Sequence, residues 1–306
     1  MPNISTVINT LNSCETLEIC LKSVKDLGPV IIVDMHSSDN TLEIARRYTD
    51  KIYMHDPVGY VEPARNFAIS KAESDWVLVL DSDEEIPPTL AAILNKIADE
   101  TYQEAPLNCT HYFIPRKTII FGQWMEHTGW WPDEKMRFFK KGSVNWKNEI
   151  HSEPETTGEG HHFEPEEKNA IIHHHYNTIS DWIQRMDRYS TIQANEKINS
   201  GYIFEWKDLL RKPLSEFIRR FFVWEGWKDG VNALGICLMQ ALSEAIVYMK
   251  IRETQKKTQV IYDGKDPQFI EDFGDELDKN QEEFGFYLEK LGLQSQLKRW
   301  LQKVLP

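Results

Sequence analysis

Roughly the first hundred residues alternate short apolar runs with amphipathic segments, and this alternation restricts the fold more than any other feature of the sequence. The apolar runs STVINTL, PVIIVD, KIYMH and WVLVLD predict strands. The segments between them, such as ETLEICLKSV, place apolar residues at helical spacing. Strands that alternate with helices predict a parallel, doubly wound sheet. We therefore expect an α/β domain.

The fourth of these strands runs directly into carboxylates, in WVLVLDSDEEIPP from Trp76 to Pro88. Ligands of doubly wound sheets bind just beyond the carboxyl ends of the strands, which is where Asp81 and Asp83 stand. Two carboxylates held close together repel each other unless a cation or a proton lies between them. A hard divalent ion is the simplest partner. The alternative is a plain strand end followed by a helix N-cap.

Composition limits the classes of function. The chain has 306 residues, enough for one large domain or two smaller ones, and its net charge of −13 argues against nucleic acid as the main partner. The cysteines form no CxxC pair and the N-terminus shows no basic and apolar leader, so a reducing cytoplasm is expected. The most apolar window, Gly230 to Met249, contains polar side chains, which favours a buried or interfacial helix over a membrane span.

The sequence pattern changes twice along the chain, after about residue 100 and after residue 176. Residues 1–100 carry the strand–helix alternation. Residues 101–176 contain short β-like runs, such as HYFIPRKTII and NAIIHHHY, joined by connections rich in Trp, Pro and Gly. Residues 177–306 are predicted to be helical. We therefore expect three successive regions.

Several motifs of the first region together resemble glycosyltransferase family 2, whose members are inverting enzymes with the GT-A fold. VINTLN resembles the first strand and nucleotide loop of that family, IIVDMHSSDNT its VVDDGSTDGT element, ARNFAI its diphosphate-binding helix, and LDSDEE its acidic metal motif. Met35 and His36 replace the usual second acid and glycine. The resemblance implies a GT-A doubly wound mixed sheet with a Rossmann-like nucleotide-binding half (1–100), an acceptor half (101–176) and a C-terminal helical extension (177–306).

Later motifs resemble bacterial lipopolysaccharide-core β-glucosyltransferases, to about residue 252. These motifs are GWWPDEKMRFFKK, RMDRYSTIQA, EGWKDGVNALG and the pair His175–Tyr176. They imply metal-dependent, inverting transfer of a sugar, most simply glucose, from a UDP-sugar to a hydroxyl of a saccharide or lipid-linked glycan. Two alternatives are transfer to a peptide and a non-catalytic nucleotide-sugar-binding protein. The relatives read VHE where this chain has IHSE, which puts Ser152 in the place of the acid.

The resemblance implies a donor site at the strand ends. Its nucleotide-side residues are Thr10, Asn12, Glu15, Asp34, Asp39, Arg65, Asn66 and Asp81. Asp34 would accept hydrogen bonds from the base or ribose, and Arg65 would place a guanidinium on the diphosphate. Asp34 could instead cap a helix, and Arg65 could be a solvated helix residue. Glu15 could pair with Asn12 in a capping box.

The implied metal ligands are Asp83, directly on a divalent ion, and His175, as a third metal or diphosphate ligand. Asp81 would contact the ribose or a metal-bound water. Mn²⁺ or Mg²⁺ is implied, and imidazole suits Mn²⁺ better. One alternative is a zinc site built from four histidines, His161, His162, His173 and His175, although their spacing fits no tight zinc motif. Another is a surface histidine patch.

The general base should be a carboxylate that faces the acceptor hydroxyl, opposite the departing diphosphate. The family places its base near WWPDEK, so Asp133 is the first candidate and Glu134 the second. Glu149 and Glu153 follow.

The acceptor side carries aromatic and basic residues. Trp130 and Trp131 could stack on sugar rings or belong to the core. Arg137 could meet an acidic acceptor group or be solvated.

The segment RKPLSEFIRRFFVWEGW, residues 211–227, predicts a basic and aromatic amphipathic helix. On an acidic protein such a helix suits an anionic membrane surface. It could equally pack its apolar face on its own domain. The sequence leaves both interpretations open.

Overall fold

The computed structural model describes residues 3–56, 62–104, 106, 108–146, 154–257, 269–290 and 292. The chain divides into two compact units. The first contains Met1–Trp124 and Trp130–Asn177, and the second contains Met125–Gly129 and Thr178–Pro306. The chain has a mixed α/β architecture. Its β-sheets lie in the first unit, and the second unit is helical.

A mixed sheet of seven strands organises the first unit. The strands of this unit are β1 (Ile4–Thr10), β2 (Val30–Asp34), β3 (Ile52–Met54), β4 (Trp76–Asp81), β5 (Glu84–Glu85), β6 (Cys109–Ile114), β7 (Arg116–Ile120), β8 (Gln123–Trp124), β9 (Lys135–Lys140), β10 (Val144–Asn145), β11 (Glu155–Thr156), β12 (Glu159–His162) and β13 (Ile171–Tyr176). The order of the large sheet is β12-β6-β9-β4-β1-β2-β3. The first four strands are parallel, as the alternation predicts, and β9 runs antiparallel between β4 and β6. The mixed sheet expected of a GT-A fold is confirmed.

Both faces of the large sheet are covered by apolar side chains. The helices of this unit are α1 (Leu17–Val24), α2 (Thr41–Arg46), α3 (Glu62–Ser70) and α4 (Pro88–Ala98). Along β4, Leu78 and Leu80 join one core cluster with residues of α1 and α4, whereas Val77 and Val79 join a second cluster with residues of α3. Because successive side chains point to opposite faces, a strand covered on both sides must be apolar throughout.

A second, four-stranded sheet of order β5-β13-β7-β8 lies at the acidic end of β4. The chain turns at Ser82 and Asp83, so the segment after Asp81 is not extended. The short strand β5 then pairs antiparallel with β13, and His173 lies opposite Glu84. This pairing brings the acids of LDSDEE beside the histidines of NAIIHHHY.

The second unit is built from helices. They are α5 (Ile179–Asn199), α6 (Asp208–Ile218), α7 (Gly230–Lys257) and α8 (Phe269–Lys290), with a π-helical turn at Arg219–Val223 and a 3-10 turn at Gly226–Asp229. The apolar side of α6 and the π-helical turn, represented by Phe217 and Phe222, packs with Phe284 and Tyr287 of α8. Of the two interpretations of residues 211–227, packing within the same unit is therefore the one observed for this apolar side.

Candidate active site

The loop after β2 is held by the carboxylate of Asp34, which is fully buried at the end of that strand. Its Oδ2 accepts hydrogen bonds from the hydroxyls of Thr10 (2.8 Å) and Ser37 (2.6 Å), and its Oδ1 accepts from the backbone N–H of Ser37 (2.8 Å). The helix α2 begins later, after Asn40, so Asp34 does not cap it. Asp34 therefore fixes the conformation of the loop on which a nucleoside would rest.

Asn12 connects the loop after β1 to the loop after β2. Its side-chain Oδ1 accepts a hydrogen bond from the backbone N–H of Ser38 (2.8 Å), and its backbone N–H donates to the hydroxyl of Ser37 (2.8 Å). The capping box predicted for Asn12 and Glu15 is wrong, because α1 begins at Leu17 after Thr16, and Thr16 makes no side-chain cap. Glu15 is exposed. The two loops thus form one connected edge.

Asp39 connects the start of α2 to the loop after β1. Its Oδ1 accepts from the backbone N–H of Thr41 (3.0 Å) and its Oδ2 from the backbone N–H of Cys14 (3.1 Å). Burial alone would raise the pKa of Asp39, but these hydrogen bonds outweigh it and lower the pKa to about 2. The side chain therefore stays ionised at neutral pH and joins α2 to the loop after β1.

Asp81 lies between two arginines at the end of β4. Its Oδ1 is 2.9 Å from Nη2 of Arg65, and its Oδ2 pairs closely with Arg137. Burial alone would raise the pKa of Asp81, but Arg137 and Arg65 outweigh it and hold the pKa well below its usual range. Neither arginine is solvated, because Arg65 is 9% and Arg137 4% exposed. The solvated interpretations of both residues are therefore wrong.

Asn66, the neighbour of Arg65, hydrogen-bonds to the backbone of Trp146. The side-chain amide of Asn66 donates to the backbone carbonyl of Trp146 (2.6 Å) and accepts from its N–H (3.1 Å). The guanidinium of Arg65 lies over the indole of the same Trp146, 5.5 Å from the ring centroid. Asn66 therefore secures the tryptophan against which Arg65 rests.

A chain of alternating charges continues from Asp81 into the protein. Its members, in order, are Arg65, Asp81, Arg137, Glu84, Arg116, Asp133 and Lys135. Glu84 stands at its centre, fully buried, with Oε1 2.7 Å from Arg137 and 3.1 Å from Arg116. Its Oε2 also accepts from the backbone N–H of Asp81 (3.0 Å). Sequence reasoning missed Glu84 and Arg116. Two features of the sequence could have indicated them. LDSDEE contains more acids than a pair of metal ligands needs, and Arg116 and Arg137 lie within β-like runs.

Glu84→Gln is expected to lower the free energy of unfolding by about 3–5 kcal/mol, because removing one charge from a buried ion pair leaves its partners uncompensated. Urea denaturation of the purified protein measures this change. Glu73→Gln is the matched control, since Glu73 pairs with Lys51 at the surface and its side chain is 67% exposed. A loss for Glu84→Gln no larger than for the control would show that the charge chain does not stabilise the fold.

Asp83, His173 and His175 form a cluster suited to a metal ion. Their ligand atoms all lie within 4.8 Å of one another, and Asp83 Oδ2 is 3.7 Å from His173 Nε2. The imidazole of His173 is 5% exposed, and its Nδ1 is buried without a hydrogen-bond partner in the part of the chain that the structure describes. Two imidazoles and a carboxylate suit Mn²⁺ better than Mg²⁺, which prefers oxygen ligands. The residues present therefore fit a divalent transition metal.

The pairing of β13 explains why His173 joins this cluster. The rings of His173 and His175 are 4.6 Å apart, on the same side of β13, whereas His174 faces Glu85 (2.9 Å). The four-histidine zinc arrangement is not formed, because His162 lies 2.7 Å from Glu134 and His161 packs on Tyr112. The resemblance had implied only His175 as a ligand of this ion.

Asp133 and Glu134 diverge after the cis Trp131–Pro132 bond, and Asp133 has a positive φ of 34°. Asp133 pairs with Arg116 through one oxygen and with Lys135 (2.8 Å) through the other. Burial alone would raise the pKa of Asp133, but the two cations outweigh it and lower the pKa. Glu134 turns towards His162 instead. Glu149 and Glu153, like Ser152, lie outside the described residues.

One tryptophan lies beside the candidate metal cluster, and two others pack on each other nearby in the sequence. The indole of Trp130 lies 5.1 Å from the ring of His175, and Trp131 packs edge-on against Trp124 at 5.3 Å. All three tryptophans are partly exposed. Trp130 therefore offers an apolar ring surface beside the cluster.

The chain is similar to known proteins over most of its length. The profile described as glycosyl transferase family 2 matches residues 5–157. An uncharacterised glycosyltransferase of Rickettsia typhi is 26% identical, over 84% of this chain and 89% of its own. The lipopolysaccharide core biosynthesis glycosyltransferase LpsC of Rhizobium meliloti is 21% identical, over 75% of this chain and 84% of its own. The crystal structure of S. aureus TarS 1-349 in complex with UDP aligns with a TM-score of 0.39 at 17% identity, over 86% of this chain and 95% of that one.

Proposed function

The chain belongs to glycosyl transferase family 2, and we propose that it moves glucose from UDP-glucose, with inversion, to a hydroxyl of a saccharide or lipid-linked glycan. One observation carries the proposal: a carboxylate and two imidazoles converge just beyond the end of a parallel strand, where Asp81, two residues before Asp83, pairs with the buried Arg65. The name of the LpsC relative supports a cell-surface glycan as the acceptor. The free state of all four cysteines is consistent with a cytoplasmic location.

The donor site of this proposal uses both strand edges. The connected loops around Asn12 and Asp34 would hold the nucleoside. Arg65 would turn one edge of its guanidinium from Asp81 to the diphosphate, which a fork of parallel N–H donors suits. Asp83, His173 and His175 would hold a divalent ion, which neutralises charge on the diphosphate, a contribution of several kcal/mol.

Transfer then needs one proton acceptor. The acceptor oxygen bonds to the anomeric carbon as the bond from that carbon to the diphosphate breaks, and the hydroxyl proton passes to the carboxylate of Asp133. UDP is the leaving group. Arg116 and Lys135 keep Asp133 ionised and fix its orientation, so its effect rests on position more than on basicity. Glu134 remains the second candidate for this role.

The proposal is tested by incubating the protein with UDP-glucose, Mn²⁺ and a lipopolysaccharide-core oligosaccharide, with a peptide acceptor in parallel. Release of UDP together with a glucosylated oligosaccharide, lost on addition of EDTA, is the expected result. Thermal shift with UDP-, GDP- and CMP-sugars ranks the donors, because bound ligand stabilises the native state. Binding of a UDP-sugar without any release of UDP would show that the protein is a non-catalytic binder. Glucosylation of the peptide but not of the oligosaccharide would show that the acceptor is a peptide.

Asp34→Ala is expected to weaken binding of UDP about 10- to 150-fold, or roughly 1.5–3 kcal/mol, because the variant loses the charged hydrogen bonds that hold the loop proposed to carry the nucleoside. Isothermal titration calorimetry measures this affinity. Glu43→Ala is the control, because Glu43 is an exposed acid in the first turn of the following helix. Equal UDP affinities for the two variants would show that the loop held by Asp34 does not carry the nucleoside.

A further inference from the structure

The helix α7 exposes an apolar stripe on the second unit. Its members are spaced by three, four or seven residues and are Val231 (79% exposed), Leu234 (36%), Leu238 (54%), Leu242 (54%) and Met249 (48%). That spacing places them on one face of a helix. The stripe therefore runs over 19 residues, or about 28 Å at the helical rise.

No charge interrupts this stripe. The other residues that project from the same side are Gly235, Ala241, Ala245 and Ile246. Arg252, Glu253 and Lys256 follow on the same side, three, four and seven residues beyond Met249. A cavity of about 560 Å³ lies at this end, lined by Ile246, Met249, Lys250, Arg252, Glu253 and Lys256. The apolar surface therefore passes into a site with three cations and one acid.

The other end of the stripe carries half-exposed indoles. Trp224 is 38% and Trp227 42% exposed. A cation lies over each ring, with Arg219 4.9 Å from the centroid of Trp224 and Lys228 5.6 Å from that of Trp227. Each cation is also paired with an acid, Arg219 with Glu216 and Lys228 with Glu225, so this end offers indole surface rather than excess positive charge. Half-exposed tryptophan is typical of the boundary between lipid headgroups and acyl chains.

The opposite face of α7 is packed within its own unit. Ala233, Ile236 and Cys237 are fully buried, as are Val247 and Ile251. The segment Gly226–Lys256 is long and apolar enough to cross a membrane by length and composition. A helix with one face buried in the second unit cannot be surrounded by lipid without leaving that unit. The exposed face therefore suits contact with a surface, with the helix lying along it.

We propose that this face of α7 docks on an anionic lipid bilayer, with acyl chains against the leucines and lipid phosphates at Arg252 and Lys256. The basic end of the stripe favours this occupant over a second copy of the chain. A parallel pair of copies would bring the cations of both chains together, whereas an anionic bilayer offers acyl chains to the stripe and phosphates to Arg252 and Lys256. The half-exposed indoles at the other end suit the headgroup boundary of such a bilayer. None of these residues belongs to the candidate active site.

Co-sedimentation of the full chain with vesicles tests the proposal. Wild type is expected to bind vesicles of phosphatidylcholine with 30% phosphatidylglycerol, to bind pure phosphatidylcholine more weakly, and to lose the difference in high salt. Leu238→Glu with Leu242→Glu should reduce binding about tenfold or more, and Arg252→Glu with Lys256→Glu should abolish the preference for the anionic lipid. Ile203→Glu is the control, since Ile203 is 61% exposed outside the stripe.

The alternative occupant gives a distinct result. Equal urea midpoints for the variants and wild type would exclude unfolding as the cause of lost binding. Light scattering without lipid reports the oligomeric state. A wild-type dimer that Leu238→Glu with Leu242→Glu converts to a monomer, with no binding to vesicles, would assign the face to a second copy and overturn the proposal. Failure of wild type to bind anionic vesicles overturns it as well.

Discussion

Asp83→Asn is expected to abolish sugar transfer while leaving the fold intact. Asp83 supplies the carboxylate of the cluster with His173 and His175, and asparagine has nearly the same shape without the charge. Losing the charge weakens the metal site and leaves the diphosphate uncompensated as the sugar departs, which corresponds to about 10³-fold or more in rate. The rate of UDP-glucose consumption in Mn²⁺ measures the effect, and calorimetry with Mn²⁺ alone measures the site independently of turnover.

Glu85→Gln is the matched control for Asp83. Glu85 is two residues along, and its Oε2 faces His174 on the other side of β13 (2.9 Å). This variant should retain near wild-type activity and Mn²⁺ affinity. His173→Ala should weaken Mn²⁺ binding, because the imidazole of His173 belongs to the cluster. If Asp83→Asn keeps most of its activity in Mn²⁺, the metal assignment is wrong.

Asp133→Asn is expected to slow transfer about 10²- to 10⁴-fold, the usual loss for a general base, without weakening binding of donor or metal. Slow hydrolysis of UDP-glucose by water should survive, because departure of the diphosphate depends on the metal cluster. Single-turnover transfer and donor calorimetry separate the two effects. The variant also changes the pairs with Arg116 and Lys135, so its urea midpoint is needed beside the rates.

The lowered pKa of Asp133 predicts the pH dependence of transfer. A carboxylate with a lowered pKa loses its proton at a lower pH, so the form that accepts a proton is complete above about pH 4, the ordinary pKa of aspartate. The rate should therefore show no acidic limb from this group between about pH 5 and 7. A limb in that range that disappears in the Asp133→Asn variant would contradict the low pKa.

Glu134→Gln tests the register of the base. Glu134 faces His162, so this change should have little effect on transfer. A dead Glu134→Gln beside a normal Asp133→Asn would move the base one residue along. If neither change matters, Glu149 and Glu153 become the next carboxylates to replace.

The sequence by itself determined the α/β sheet, the family and the acidic edge of the site. The sheet follows from local patterns, because a strand covered on both faces must be apolar throughout and an amphipathic helix must repeat every three to four residues. The family followed from the resemblance of several motifs to those of known enzymes. Asp81 and Asp83 were recognisable because they come directly after such a strand. The turn at Ser82 and Asp83 was not, because its conformation depends on the pairing of β5 with β13.

Only the tertiary structure decided which charges and apolar faces meet. Glu84, Arg116 and Arg137 are buried because partners 32 and 53 residues away compensate them, and no local pattern reports such a partner. Asn12 does not form the predicted capping box. Its side chain instead accepts a hydrogen bond from the backbone N–H of Ser38, 26 residues later. The sequence showed that α6 is amphipathic, but it did not show that α8 covers the apolar face of α6. Nor did it show that the apolar stripe on α7 stays exposed. Periodicity shows which side of a helix is apolar, and packing alone decides whether protein or another surface covers it.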